Sequence, residues 1–148
     1  MKPLLRGLGS AGVFVLAFSF ALAACGGGDE PAEGAVHTIL DEWSITAGHD
    51  GETAFAVSQG EVTFEVHNDG RTPHELALIK TDLPVASLPM SDSTVDEEAA
   101  GTLLGRTSEM DSDELELLTL DLQPGAYALI CNIPGHYEQG MYAPVVVE

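Results

Sequence analysis

The stretch VTFEVH (residues 62–67) alternates apolar and polar side chains with a period of two. Val62, Phe64 and Val66 fall on one side and the polar residues on the other. This is the pattern of a β-strand that buries one face. The next three residues, Asn68-Asp69-Gly70, are typical of a tight turn. The stretch therefore predicts a strand that ends in a turn.

Other segments carry similar strand signals between turn residues. They are residues 42–46, 53–57, 75–80, 117–122, 126–131 and 145–147. Helical periodicity is scarce, so about seven short strands predict an all-β protein, an antiparallel β-sandwich. Residues 84–113 are acidic and rich in Ser, Thr and Asp, which predicts a loop excursion with a short helix within residues 95–104.

The composition narrows the possible functions. The 148 residues suffice for one domain, and 24 acidic residues against 5 basic ones give a formal charge of −19. With so few cations the chain cannot neutralise a row of phosphates, which excludes nucleic-acid binding. A strongly acidic surface suits a cationic partner, a high-salt habitat or simple solubility.

The N-terminus has the features of an export signal. Lys2 and Arg6 precede an apolar run over residues 11–24, which is too short for a stable membrane span. The run ends in LAAC (residues 22–25), which resembles the bacterial lipobox, with Cys25 as the lipidated residue. The alternative is an ordinary signal peptide cleaved after Ala23. We predict an exported bacterial membrane lipoprotein that faces the periplasm or the extracellular side.

The predicted organisation has three parts. Residues 1–24 are the lipoprotein signal peptide, residues 25–36 a flexible Gly-rich tether and residues 37–148 the folded domain. Removal of the signal peptide leaves 24 acidic residues against 3 basic ones, because Lys2 and Arg6 are lost with it. It also leaves Cys131 as the one thiol that is not lipidated. A single thiol in an oxidising compartment cannot form an internal disulfide, so we expect another interaction to hold it.

The segment CNIPGHYEQGM (residues 131–141) places Cys131, His136 and Met141 at C-x4-H-x4-M spacing. Its Gly and Pro residues predict a loop that leaves the sheet and returns, which directs the three side chains toward one volume. Two histidines and one cysteine with a weak axial methionine form the ligand set of blue copper. The alternatives are a buried cysteine beside an incidental histidine, and a Cys/His nucleophile pair, for which no orienting third residue is evident.

A copper site of this kind needs a second histidine. His74 follows a turn and Pro73 and opens a strand, which places it at a sandwich end. His67 lies on the polar face of a strand, and His37 and His49 lie in polar segments. His74 is therefore the predicted remote ligand.

Three segments, GEVTFEVHNDG (residues 60–70), PHEL (residues 73–76) and CNIPGHYEQGM, resemble the cupredoxins, and the resemblance covers most of residues 37–148. The loop spacing is similar to that of rusticyanin, auracyanin and sulfocyanin. The resemblance implies a Greek-key β-sandwich with one type 1 copper ion. It also implies that His74, Cys131 and His136 are equatorial ligands and Met141 is the axial ligand. Many members carry Asn or Ser where this chain has Glu75, which bears on the hydrogen bonds around the thiolate.

Four protein ligands leave no open position for a substrate, so the predicted function is one-electron transfer without enzymatic activity. The expected partners are a redox donor and acceptor, such as a cytochrome or a respiratory complex. The alternative function is copper delivery, storage or sensing.

In related proteins the loop histidine lies in an apolar patch, for which Pro134, Tyr137, Met141 and Tyr142 are the candidates. Trp43 is interpreted as a packing residue.

Overall fold

The computed structural model describes residues 34–48 and 55–148. The predicted signal peptide, Cys25, most of the tether and His49 lie outside these residues. Within the described part of the chain, no helix has the length and apolar character needed to cross a membrane.

The described chain is built from short strands. In chain order they are β1 (Val36–Asp41), β2 (Ser44–Ala47), β3 (Phe55–Val57), β4 (Gly60–Asn68), β5 (Ala77–Lys80), β6 (Met90–Ser91), β7 (Thr94–Val95), β8 (Thr102–Arg106), β9 (Leu115–Leu122), β10 (Gly125–Ile130) and β11 (Tyr142–Val147). One helical turn, α1 (Glu97–Ala100), follows β7, and a 3-10 turn spans Tyr137–Gln139. The stretch that alternates over residues 62–67 lies within β4, as predicted.

Two sheets form the sandwich. The first has the strand order β2-β1-β4-β9 and the second the order β3-β11-β10-β5-β8. Most neighbours are antiparallel, but β1 runs parallel to β4 and β11 runs parallel to β3. The predicted all-β sandwich is confirmed, and the structure adds these two parallel pairs to the antiparallel arrangement expected from the sequence.

The strands β5 and β10 at the centre of the second sheet are buried on both faces. Leu78 of β5 and Leu129 of β10 point into the main core between the sheets, together with Phe64 of β4. The alternate residues Ile79 and Ile130 point the other way, into a second apolar cluster. Burial on both faces accounts for the unbroken apolar runs of these two strands.

The second cluster is covered by residues 84–104, which form most of the loop excursion predicted over residues 84–113. This segment contains the β6–β7 hairpin, the predicted helical turn α1 and the first residues of the strand β8, which pairs with β5. Leu88, Val95 and Ala100 of this segment pack on the outer face of the second sheet. We call residues 84–104 the cover segment.

Candidate metal centre

The predicted ligands His74 and Cys131 come from neighbouring strands. His74 lies just before β5, and Cys131 directly follows β10. Because β5 and β10 are antiparallel, with Ala77 opposite Ile130, the start of one lies beside the end of the other. Both side chains are completely buried. The topology of the sheet therefore brings together two residues that are 57 positions apart.

The loop that carries His136 is closed by its own backbone. The Cys131 N–H donates to the Met141 carbonyl at 3.1 Å, and the Met141 N–H donates to the His136 carbonyl at 3.3 Å. The His136 N–H in turn donates to the Ile133 carbonyl at 3.0 Å. These bonds turn the His136 side chain back toward Cys131.

The donor atoms of three predicted ligands meet at one point. His74 Nδ1 lies 3.1 Å from His136 Nδ1 and 3.9 Å from Cys131 Sγ. Cys131 Sγ lies 3.4 Å from His136 Nδ1. Among the described residues, His74, Cys131 and His136 form a group whose ligand atoms all lie within 4.8 Å of one another.

This triangle has the size of a transition-metal site. With metal–nitrogen distances of about 2.0 Å and metal–sulfur distances of about 2.3 Å, three donors in a trigonal arrangement lie about 3.5–3.7 Å apart. The observed separations of 3.1, 3.4 and 3.9 Å bracket these values. Two imidazoles and one thiolate form the donor set that favours copper over hard cations. The residues therefore fit one copper ion.

Met141, the predicted axial ligand, is completely buried and belongs to the main core. Its backbone carbonyl accepts the hydrogen bond from Cys131 described above, so the two residues are neighbours at the base of the loop. Its assignment as a ligand remains a prediction from the resemblance.

Burial sets the protonation of the three donors. It lowers the pKa of the His74 and His136 imidazoles, and for His74 the neighbouring His136 lowers the pKa further. Both rings are therefore neutral near pH 7, as coordination requires. Burial raises the pKa of the Cys131 thiol, while hydrogen bonds from the backbone N–H groups of Glu75 and Ile133 act in the opposite direction and lower it. Without a metal the protonated thiol is therefore favoured, whereas a bound metal cation favours the thiolate, because a coordinating thiol is deprotonated.

The far side of the His74 ring is held by the turn after β4. The buried Asn68 side chain donates to the carbonyls of Thr72 and Met110 at 2.9 Å each, and its oxygen accepts from Gly70 N–H at 2.9 Å. The His74 backbone exchanges two hydrogen bonds with Met110. Met110, which lies within the predicted excursion of residues 84–113, belongs to the main core.

Gly70 lies at a position where a side chain would clash with its neighbours. A Cβ atom added there would lie 2.8 Å from His74 Nε2 and 3.1 Å from Asn68 Oδ1. Since His74 is completely buried and its Nδ1 faces Cys131, the ring has no space into which it could retreat. The Asn-x-Gly turn therefore serves to seat the ligand as well as to reverse the chain.

Glu75 belongs to a ring of polar contacts beside Cys131. Its backbone N–H donates to Cys131 Sγ at 3.4 Å, and its carboxylate accepts from Arg106 Nη1 at 3.2 Å. Arg106 Nη2 also donates to both Glu97 oxygens at 2.5 Å. Asn132 completes the ring, because its Nδ2 donates to Glu97 Oε1 at 2.7 Å.

The charge on Glu75 is balanced by this ring. Burial raises the pKa of the Glu75 carboxyl, while Arg106 and the Asn132 backbone N–H act in the opposite direction. In place of the amide or hydroxyl of many relatives, this chain has a carboxylate together with its own arginine. The ring connects both strands that carry buried ligands to the cover segment.

The β1–β2 hairpin places Trp43 and Glu42 at the site, which the sequence did not predict. The Trp43 ring contacts the His136 ring edge-on, with centroids 5.2 Å apart and planes at 89°. Trp43 is 38% exposed, so its interpretation as a packing residue is wrong. The predicted apolar patch around His136 also needs correction, because Tyr137 and Met141 are buried.

Comparisons with known proteins show the family and similar folds. The profile of the sulfocyanin (SoxE) domain family matches residues 44–148. The crystal structure of dithionite-reduced auracyanin from the photosynthetic bacterium Roseiflexus castenholzii is similar, with 20% sequence identity, a TM-score of 0.58 and coverage of 80% of this chain and 99% of that one. Rusticyanin from Thiobacillus ferrooxidans has 17% identity, a TM-score of 0.57 and coverage of 79% of each chain. No curated protein sequence matches significantly.

Proposed function

The chain belongs to the sulfocyanin (SoxE) domain family. From this family and from the lipobox-like residues 22–25, we propose that it is an exported one-electron carrier that a lipid on Cys25 holds at a bacterial membrane. It is a cupredoxin, and its cofactor is one type 1 copper ion. The observation that carries the proposal is the meeting of the His74, Cys131 and His136 donor atoms within 4.8 Å of one another. The residues we assign as ligands are these three, with Met141 as the axial one.

The arrangement of the protein suits electron transfer. Copper bound here supplies a Cu(II)/Cu(I) couple. Two of the donors are completely buried on neighbouring strands, and the third lies on a loop that its own hydrogen bonds close. Such a scaffold holds its donors in one geometry in both oxidation states. Two completely buried donors also argue against a substrate position and support a role without enzymatic activity.

The same burial argues against copper delivery. A delivery site has to release its metal to a partner, whereas His74 and Cys131 are completely buried and His136 is half-buried. The Trp43 ring lies against the one donor residue that solvent partly reaches. Slow transfer of copper to an external chelator is therefore expected for an electron carrier, and rapid transfer would favour delivery.

The partner we propose is a cationic redox protein. After loss of the signal peptide the chain has 24 acidic residues against 3 basic ones, a charge that attracts positively charged surfaces. We expect the second-order rate constant with a lysine-rich c-type cytochrome to fall at least about tenfold between roughly 0.01 and 1 M ionic strength. Stopped-flow absorbance of the cytochrome measures this rate. Ferricyanide, an anionic oxidant, is the control, and its rate should rise with salt. A cytochrome rate that does not change with salt would contradict the proposed partner.

Membrane attachment is proposed from the lipobox-like residues 22–25. When the full chain is expressed in a bacterium, we expect it to sediment with membranes, and the Cys25→Ser variant to appear in the soluble or secreted fraction. A chain that stays in the soluble fraction with Cys25 intact would point to the ordinary signal peptide instead. Mass spectrometry of the mature N-terminus distinguishes an acylated Cys25 from cleavage after Ala23.

A further inference from the structure

Trp43 has a backbone conformation that a bulky residue rarely adopts. It lies between β1 and β2 with φ at 96°, in the left-handed region that favours glycine. A residue held there is strained, and such strain concentrates at functional sites. A glycine at this position would remove the strain. The presence of tryptophan therefore calls for a reason that lies in its side chain.

The hairpin that carries Trp43 is fastened to both histidine loops. One Glu42 carboxylate oxygen accepts from the backbone N–H groups of Arg71 and Thr72 at 2.5 and 2.9 Å, in the loop that leads to His74. The Trp43 carbonyl approaches Gly140 so closely that a Cβ there would lie 3.2 Å from it. Gly140 belongs to the loop that carries His136. The hairpin is thus fixed on the two segments that build the site.

The indole lies between the site and solvent. Its ring forms a T-shaped contact with the half-buried His136 ring, whose Nδ1 is one of the three donor atoms. Trp43 itself is 38% exposed. A path of ring contacts therefore runs from the surface to a ligand atom. An exposed aromatic residue of this kind is also a typical anchor in a protein contact.

We propose that Trp43 is the contact through which a cationic redox protein exchanges electrons with the copper bound at His136. This inference rests on the proposed function and extends it to the route of the electron. The transfer moves one electron and no proton or bond. A reduced partner cytochrome would be oxidised from Fe(II) to Fe(III) and give up one electron, which Cu(II) held by His74, Cys131 and His136 would accept, and the indole would be unchanged.

The acidic neighbours of Trp43 fit the same partner. Asp41 is exposed and directly precedes Glu42, so two carboxylates lie next to the indole in the sequence. The Glu42 carboxylate is held in place by its hydrogen bonds from the Arg71 and Thr72 backbone N–H groups. An aromatic contact beside negative charge suits a partner whose exposed haem edge is surrounded by lysines.

The test uses two variants of the copper-loaded protein. Trp43→Gly removes the indole and adopts the observed φ without strain, so it is less prone to misfold than an alanine variant. Trp43→Phe keeps an aromatic ring. Leu117→Ala, which changes an exposed residue on β9, is the matched control. Rates are measured with the reduced lysine-rich cytochrome and with hexaammineruthenium(II), which is small enough to approach His136 directly.

We expect Trp43→Gly to lower the cytochrome rate at least about tenfold, the effect of losing an aromatic anchor from a contact. The ruthenium rate should not fall, and the visible band should persist. Trp43→Phe should keep most of the cytochrome rate, and Leu117→Ala all of it. Trp43 is the single tryptophan of the chain, so its fluorescence offers a second readout, and we expect Cu(II) loading to quench it.

Two results would overturn the inference. One is a cytochrome rate in Trp43→Gly within about twofold of the wild type, since an anchor has larger effects. The other is an equal fall in both rates together with a shift in potential, which would make Trp43 a positioning residue for His136. Failure of the proposed function looks different, because the wild-type protein itself would then lack the visible band or exchange no electrons with either reagent.

Discussion

A Cys131→Ser variant of the protein should lose the intense visible absorption of the copper-loaded form completely. That absorption requires a thiolate bound to copper, and Cys131 is the free cysteine of the described chain, with its Sγ within 3.9 Å of both imidazoles. Serine is close in size, so the apo-protein should fold. Loss of the thiolate should weaken the affinity for copper. The increase in thermal stability on addition of copper should therefore be smaller than in the wild type, since a ligand stabilises by RT ln(1 + [L]/Kd).

The control for this variant is Met90→Leu. Met90 is exposed on the β6–β7 hairpin, and its replacement should leave the spectrum unchanged. The measurements are the visible spectrum after loading with Cu(II) and thermal unfolding with and without copper. An intense blue band that persists in Cys131→Ser would disprove both the type 1 assignment and the role of Cys131.

An Arg106→Met variant should lose stability and lower the reduction potential. Its guanidinium is the cation that the structure places beside the buried Glu75 carboxylate, at 3.2 Å. Without Arg106 the buried Glu75 carboxylate keeps only weaker partners, which lowers the free energy of unfolding by about 1–3 kcal/mol. The unbalanced negative charge lies next to Cys131 and favours Cu(II) over Cu(I). Chemical unfolding of the apo-protein and a redox titration of the loaded protein measure the two effects.

Two further variants separate the ion pair from a general change in charge. Arg71→Met removes the same charge from an exposed side chain and should change both quantities much less. Adding Glu75→Gln to Arg106→Met removes the buried charge while leaving an oxygen to accept from Asn132 N–H, so it should restore most of the stability and potential. If Arg106→Met and Arg71→Met gave equal shifts, the contact between Glu75 and Arg106 would have no particular role.

The sequence predicted the fold and the meeting of the three donors because their signals are local. Alternation over residues 62–67 marks β4, and the turn before His74 places that residue at a strand start. The C-x4-H-x4-M spacing lies within one loop, and its closure depends on hydrogen bonds between residues of that same loop. Each of these features can be recognised without knowing what lies next to it in space.

The features that the sequence did not predict depend on distant contacts. Trp43 resembles any core aromatic until the hairpin places its ring against His136. Glu75 and Arg106 are 31 positions apart, and no local pattern pairs them. The cover segment has polar composition typical of a loop, and it is ordered by packing on a sheet that is apolar on both faces. In each case the position of the residues is determined by tertiary packing, which their local sequence does not indicate.

The cover segment has a consequence for protein engineering. It binds the ligand loop at three loop residues. The Gly135 N–H donates to the Ser93 carbonyl, and the Tyr137 hydroxyl bonds the backbone of residues 85 and 88. The Asn132 side chain exchanges two hydrogen bonds with Val95 and donates to Glu97. A ligand loop grafted alone into another sandwich would leave these attachments behind. The unit of transplantation in this protein is therefore the loop together with residues 84–104, and a chimera that exchanges both should retain the spectrum of its donor.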